Sequence, residues 1–313
     1  MNDCYLSFDV GGSKYIVGLI RRNGDVISTR RGDWKELTPS LILDTLIAEA
    51  RALLHETQIT PVACGVTIPG LADPEKGLWV EASFSGICNF AICEAISQAL
   101  SLPSYCDNDG QAFALAEMVF GACRDVKDFL YVNVSNGIGG AVVAGGKLVY
   151  GARGNAGEFG HCIVVPGGRP CKCGSNGCLE MYAAGPGIAR TYQEAGGAPL
   201  ADGKPAQGKH MAVRARSGEK LAQRVFEAQG EMIGSVIATA ANLLNPRKVI
   251  LGGGLALAYD CFGPALEKTV NERIYNNANP DLTIEPTKLG YLAGLYGGAA
   301  IAVTRTETAL HQP

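Results

Sequence analysis

Between Gly151 and Glu180 the chain reads GARGNAGEFGHCIVVPGGRPCKCGSNGCLE. One histidine, His161, is followed by three closely spaced cysteines, Cys171, Cys173 and Cys178. An imidazole and three thiolates from one segment, broken by Gly174 and Gly177, can close around a tetrahedral zinc ion. Four protein ligands leave no open coordination position, so such a zinc would be structural. Without a metal the same thiols would be ordinary buried cysteines. Glu158 and Glu180 flank the ligands, and a zinc tying the ends together would bring two carboxylates near each other.

Two further stretches offer polar backbone to an anion. Asp9-Val10-Gly11-Gly12-Ser13-Lys14 follows a short apolar run, and Ser135-Asn136-Gly137-Ile138-Gly139-Gly140 follows another. Glycines at such turns let N–H groups face outward and approach a phosphate closely. Asp9 stands where it can meet a metal ion or its water, although a plain hairpin with an acid in its turn fits the same residues. Gly252-Gly253-Gly254, after the run Lys248–Leu251, could let a flat or anionic group lie against backbone. Asp107-Asn108-Asp109-Gly110 marks a strand-to-helix junction, where α/β ligand sites form and a helix N-terminus favours an anion. Either aspartate also suits an N-cap. A near-match to a phosphate loop, Gly203 to Lys209, ends in His210 instead of Ser or Thr, contains Pro205 and follows no strand, so it reads as coincidence.

The elements that must position these residues have a repeating plan. Tyr5–Asp9, Tyr15–Ile20 and Val26–Thr29, separated by a glycine turn and Asn23-Gly24, predict a three-stranded antiparallel meander. Phe129–Val134, Ala141–Ala144 and Lys147–Tyr150 repeat it, which predicts an internal duplication of two related lobes. Thr38 as N-cap and Pro39 open a helix ending near His55, with Ile42, Leu46, Ala50, Leu53 and Leu54 on one face. Strands are expected at Val62–Ile68, Leu78–Ala82, Pro103–Cys106 and Thr283–Pro286. Helices are expected at Phe90–Leu100, Gln111–Phe120, Pro186–Ala195, Leu221–Leu244 and Leu289–Val303, with a polar loop at Ala198–Gly208. The lobes are placed at residues 1–118, completed by a returning helix 291–313, and at 119–290 with the zinc loop at 157–180.

The chain has 313 residues, enough for two domains, with 47% hydrophobic and 18% charged residues. Net charge is −3, and no basic run exceeds the pairs Arg21-Arg22 and Arg30-Arg31. That argues against a nucleic-acid partner. The apolar stretches around Ile233–Leu244 and Leu289–Val303 are too short or interrupted to span a bilayer, so no membrane role is expected. Eleven cysteines without a visible signal peptide suggest a reduced, cytoplasmic protein.

These motifs together resemble the ROK family (repressors, open reading frames and sugar kinases), in its kinase branch. Asp9 to Lys14 resembles the first phosphate motif. Val134 to His161, with Gly137, Gly139, Gly151, Gly157 and Gly160, resembles the family signature, and His161 with Cys171 to Glu180 the zinc motif. The resemblance implies an α/β, actin-like ATPase fold of two RNase H-like lobes holding ATP and a sugar in the cleft between them. It implies Asp109 as the base that takes a proton from a sugar hydroxyl, and Asn108, Glu158, His161 and Glu180 as sugar ligands. His161 would serve sugar with one nitrogen and zinc with the other. Gly11, Gly12, Ser13, Lys14, Asn136, Gly137, Gly139, Gly253 and Gly254 would face ATP, with Mg²⁺ beside Asp9. A hexose or acetamido-hexose substrate and a homodimer are implied. A repressor would carry a winged helix ahead of the first lobe, and only eight residues precede Asp9. Some positions depart from the pattern. Ser83 stands for a sugar-binding asparagine and Ile87 for a tryptophan, and Ser135-Asn136 replaces the usual Gly-Thr. The first change keeps N-acetylmannosamine beside glucose as a substrate, with fructose or allose behind.

Overall fold

A computed structural model describes residues 3–34, 37–82 and 86–310. The chain forms two compact units: Met1–Asp125 with Leu148–Ala156 and Lys288–Pro313, and Val126–Lys147 with Gly157–Thr287.

In the first unit β1 (Cys4–Val10), β2 (Lys14–Arg21) and β3 (Val26–Asp33) form the expected antiparallel meander. Helix α1 (Pro39–Thr57) starts where Thr38 Oγ1 accepts from Leu41 N at 3.4 Å, and Gln58 closes it in the left-handed conformation. Strand β4 (Ala63–Ile68) then pairs parallel to β1. A small antiparallel sheet follows, of β5 (Leu71–Asp73), β6 (Leu78–Ala82) and β7 (Ile87–Phe90). The helix expected from Phe90 therefore starts later, as α2 (Ile92–Leu100), because Phe90 is held in the ladder opposite Trp79. Strand β8 (Ser104–Asn108) lies parallel to β4 and runs directly into α3 (Asp109–Val119). The main sheet has the order β3-β2-β1-β4-β8.

The second unit repeats this order. Strands β9 (Phe129–Val134), β10 (Ile138–Ala144) and β11 (Lys147–Leu148) are joined by β12 (Lys248–Gly252) and β13 (Thr283–Pro286) in the sheet β11-β10-β9-β12-β13. As in the first sheet, the first strand of the meander pairs parallel to the fourth, and the fourth to the fifth. Strand β10 begins at Ile138, not Ala141, because Gly139 and Gly140 pair with Asn133 and Val132. Strand β11 ends at Leu148, short of the expected Tyr150. Between the meander and β12 come α4 (Glu180–Ala183), α5 (Gly185–Glu194), α6 (Gly208–Arg216) and α7 (Lys220–Leu244), and α8 (Tyr259–Arg273) separates β12 from β13.

Helices α6 and α8 were not expected from sequence. Helix α6 grows from the phosphate-loop look-alike: Gln207 and His210 form a capping box, so Gly208 and Lys209 open a helix instead of cradling an anion. Helix α8 tolerates Pro264 in its second turn.

The C-terminal helix Ala293–Leu310 packs on the first sheet at backbone distance. Ser7 Oγ donates to Leu295 O at 2.5 Å and Thr67 Oγ1 to Gly294 O at 3.1 Å. A Cβ on Gly65 would overlap the carbonyl oxygen of Gly298. The obstructing atom belongs to backbone, so no side chain can move aside. We expect Gly65→Ala to lower the unfolding free energy by about 3 kcal/mol in a urea titration, the upper part of the usual cost of overpacking. An unchanged midpoint would contradict this contact.

Candidate functional site

The expected zinc ligands converge. The Nδ1 of His161 and the Sγ atoms of Cys171, Cys173 and Cys178 lie within 4.8 Å of one another. Cys173 and Cys178 sulfurs are 3.6 Å apart, and Cys171 Sγ is 3.7 Å from His161 Nδ1. A tetrahedron with Zn–S bonds of about 2.3 Å has sulfur–sulfur edges of about 3.8 Å, so the donor set fits this metal. The loop achieves this by folding into a narrow ribbon, with Ile163 bridged to Cys178 and Pro170 to Asn176. Gly174 (φ +90°) and Gly177 (φ +85°) make its turns, and a Cβ on Gly177 would strike Val165 O.

The outer nitrogen of His161 faces the other way. Its Nε2 is 3.7 Å from Glu158 Oε2, one 3₁₀ turn earlier. Burial holds the Glu158 carboxyl above its ordinary range; the His161 side chain opposes that shift and the charge of Glu180 adds to it. Glu180, the first residue of α4, accepts from Ile138 N at 3.0 Å through Oε2. A Cβ on Gly137 would lie 2.6 Å from that oxygen. Glu158, His161, Glu180 and the Asn136-Gly137 turn thus form one polar neighbourhood.

The glycines after β12 pack onto the same turn. Gly253 (φ +85°) presses against the end of β9, where a Cβ would overlap Val134 O, and Gly254 comes within 3.9 Å of Ser135 Oγ when given a Cβ. Gly185, at the start of α5, donates its N–H to Ser135 O at 2.8 Å. Sequence reading missed Gly185. The available signal was its place between a helix and Pro186, an N-terminal pattern. A Cβ on Gly139 would meet nothing within 4 Å, so that strand residue borders open space.

In the first unit, Asp9 is the penultimate residue of the central strand, between Ile16 on β2 and Thr67 on β4. Its carboxyl is pushed up to about 6, chiefly by desolvation, then by the charge of Asp109, with Lys14 opposing. The two aspartates therefore share one electrostatic environment, with more negative than positive charge, which suits a cation-accompanied phosphate. A Cβ on Gly294, in the first turn of the C-terminal helix, would overlap the Asp9 carboxylate. Sequence reading missed this residue, because the contact spans the chain. In the phosphate turn, Gly11 N donates to Lys14 O and Trp34 Nε1 to Gly11 O, both at 2.9 Å. Gly12 and Ser13 form the exposed tip, while Lys14 Nζ donates to Tyr291 Oη at 3.1 Å and lies over its ring.

The N-cap of α3 is neither aspartate. Asn108 Oδ1 accepts from Gln111 N at 3.0 Å, while its Nδ2 donates to Gly70 O at 3.1 Å. Asp109 is the first helical residue and accepts from Gly110 N at 2.8 Å. Asp107 points the opposite way into the protein, 2% exposed. Ser83, the departure from the family's asparagine, lies outside the described residues; Ile87 is buried in β7.

Residues 5–305 match the model of the ROK family, and the chain belongs to that family. It is 30% identical to a glucokinase of Halalkalibacterium halodurans, over 94% of this chain and 93% of that one. A Streptomyces griseus ROK glucokinase, solved with glucose and AMPPNP, superposes with a TM-score of 0.82 at 28% identity, covering 96% and 99% of the two chains. A ROK family transcriptional regulator, a homologue of the Escherichia coli Mlc protein, gives 0.87 at 29% identity, covering 96% of this chain and 78% of the regulator. The fold is the actin-like ATPase fold, and the protein is an ATP-dependent sugar kinase.

The raised pKa of Asp9 has a definite sign in a stability measurement. The folded protein binds that proton more tightly than the unfolded chain, so the contribution is full below about pH 4 and lost as pH rises through about 6. We expect Asp9→Asn, without nucleotide, to be about 3 kcal/mol more stable than the parent at pH 8, and equal to it below pH 4. Chemical unfolding at both pH values checks this, and a variant no more stable at pH 8 would refute the buried-charge account.

Proposed function

We propose that the enzyme transfers the γ-phosphoryl group of ATP to the 6-hydroxyl of a hexose, with Asp109 as general base. One observation supports this above all: Asp109 stands at the first turn of a helix, at a strand's carboxyl end, within the electrostatic reach of the half-buried Asp9. Fold alone does not separate kinase from regulator, since both superpose on this chain; the proximity of Asp109 to a second carboxylate, Asp9, favours the kinase reading. Phosphoryl transfer asks a protein mainly for position, charge neutralisation and a base. Asp109 takes the hydroxyl proton as the sugar oxygen forms its bond to phosphorus and the bond to ADP breaks. Asp9 would hold, through water, the Mg²⁺ that accompanies ATP and neutralises phosphate charge. Gly11, Gly12, Ser13, Lys14, Asn136, Gly137, Gly139, Gly253 and Gly254 would face the nucleotide.

Asn108, Glu158, His161 through Nε2, and Glu180 would grip the ring hydroxyls. Carboxylates and an amide suit a polyol because each can hold one or two hydroxyls. Glucose is the first substrate to expect, as the glucokinase likeness suggests, and N-acetylmannosamine the second. A zinc ion on His161 Nδ1, Cys171, Cys173 and Cys178 would fix the wall that carries Glu158, His161 and Glu180. All eleven thiols are free, which fits a reducing cytoplasm, and we take the working form to be a homodimer.

Asp109→Asn should lower kcat for sugar phosphorylation about a thousandfold, the usual scale for a general base, while leaving sugar binding measurable by calorimetry. Undiminished turnover would remove Asp109 from that role. Stripping zinc with a strong chelator should lower the melting temperature and raise the sugar KM together, because His161 serves both. A fall in melting temperature with unchanged KM would show that the loop does not shape the sugar site.

A further inference from the structure

The segment Tyr150–Ala156 of the first unit is tied across the β8–α3 junction that carries Asn108 and Asp109. At one end Tyr150 Oη donates to Asp107 Oδ2 at 2.7 Å. At the other, Gln111 Nε2 donates to Ala156 O at 3.0 Å. Asp107 and Gln111, 2% and 1% exposed, thus bracket the two site residues from below. The segment is closed on itself by Ala156 N donating to Tyr150 O at 3.1 Å, and in its middle a Cβ on Gly154 would come within 3.5 Å of Ala72 O on β5.

The second oxygen of Asp107 completes a chain of bonds. Asp107 Oδ1 accepts from Asn108 N at 2.9 Å, Asn108 Oδ1 accepts from Gln111 N, and Asp109 Oδ1 accepts from Gly110 N. Each bond fixes one peptide plane or side chain between the tyrosine hydroxyl and the base. A buried carboxylate is costly unless hydrogen-bonded, and here the cost secures one orientation of the strand end.

We propose that Tyr150 and Asp107 are positioning residues for phosphoryl transfer, holding the strap and the β8–α3 junction so that Asp109 meets the sugar hydroxyl. This rests on the assignment of Asp109 as the base. Asp107 contributes acceptor atoms in the right places, and its charge is not required. A carboxamide at that position can still accept from Asn108 N and meet the Tyr150 hydroxyl with its N–H.

Steady-state kinetics in both substrates, with melting temperatures, on Tyr150→Phe, Asp107→Asn and Asp109→Asn test this. We expect Tyr150→Phe to lower kcat about tenfold, the scale of a displaced catalytic group, with the KM for ATP unchanged within twofold. Asp107→Asn should stay within about threefold of the parent. Full kcat in Tyr150→Phe overturns the inference and leaves the base assignment intact. Asp107→Asn as inactive as Asp109→Asn also overturns it, because the charge itself would then act. Full activity in Asp109→Asn removes the base assignment and this inference with it.

Discussion

A carboxylate at the end of an enclosed central strand sets the terms for the first unit. Asp9 is partly desolvated: β2 and β4 flank its strand, and the C-terminal helix comes so close that a Cβ at position 294 would overlap its carboxylate. Desolvation disfavours its charge, and Asp109 adds to that. Such a site gains most from a cation, and an ATP-bound metal is a cation delivered with the substrate. The close helix is itself possible only because Gly65 and Gly298 have no side chains to separate the two backbones. The same closeness that brings the helix against the Asp9 carboxylate makes it a backing for the strand that presents that residue.

Much of this fold was legible because it is local and repeated. A run of β-prone residues, a glycine turn and a second run predict a hairpin wherever they occur, and their recurrence predicted the second sheet. The structure gives both sheets the same order, with the meander at one side and two parallel strands at the other. What escaped was set by neighbours instead of by local pattern. Phe90 carries a helix-compatible sequence but is claimed by Trp79 across a ladder. Gly139 and Gly140, turn residues by type, pair with β9 because their neighbours on that strand leave them no other partner. Helix α8 contains Gly263 and Pro264, and its burial of Phe262, Leu266 and Val270 outweighs their low propensity.

The same division holds for the site. The metal ligands were readable because Cys171, Cys173 and Cys178 lie within eight residues, and two glycines in left-handed backbone suffice to fold them together. His161 joins them from ten residues away through a ribbon bridged at Ile163–Cys178 and Pro170–Asn176. By contrast, Tyr150 meets Asp107 across 43 residues, and Gly294 meets Asp9 across most of the chain. No periodicity records such contacts.

The junction at Asn108 shows how one neutral side chain resolves a conflict the sequence leaves open. Three consecutive residues, Asp107, Asn108 and Asp109, could each cap α3, and a cap is committed to backbone N–H groups. The structure gives that task to the amide, whose oxygen takes the Gln111 N–H and whose nitrogen reaches Gly70. Asp107 then turns inward to Tyr150, and Asp109 becomes the first helical residue. An aspartate cap would have committed its carboxylate to the backbone N–H groups of the helix end. With asparagine as the cap, the carboxylate of the residue that follows stays outside the capping bonds, beside a helix N-terminus that favours negative charge.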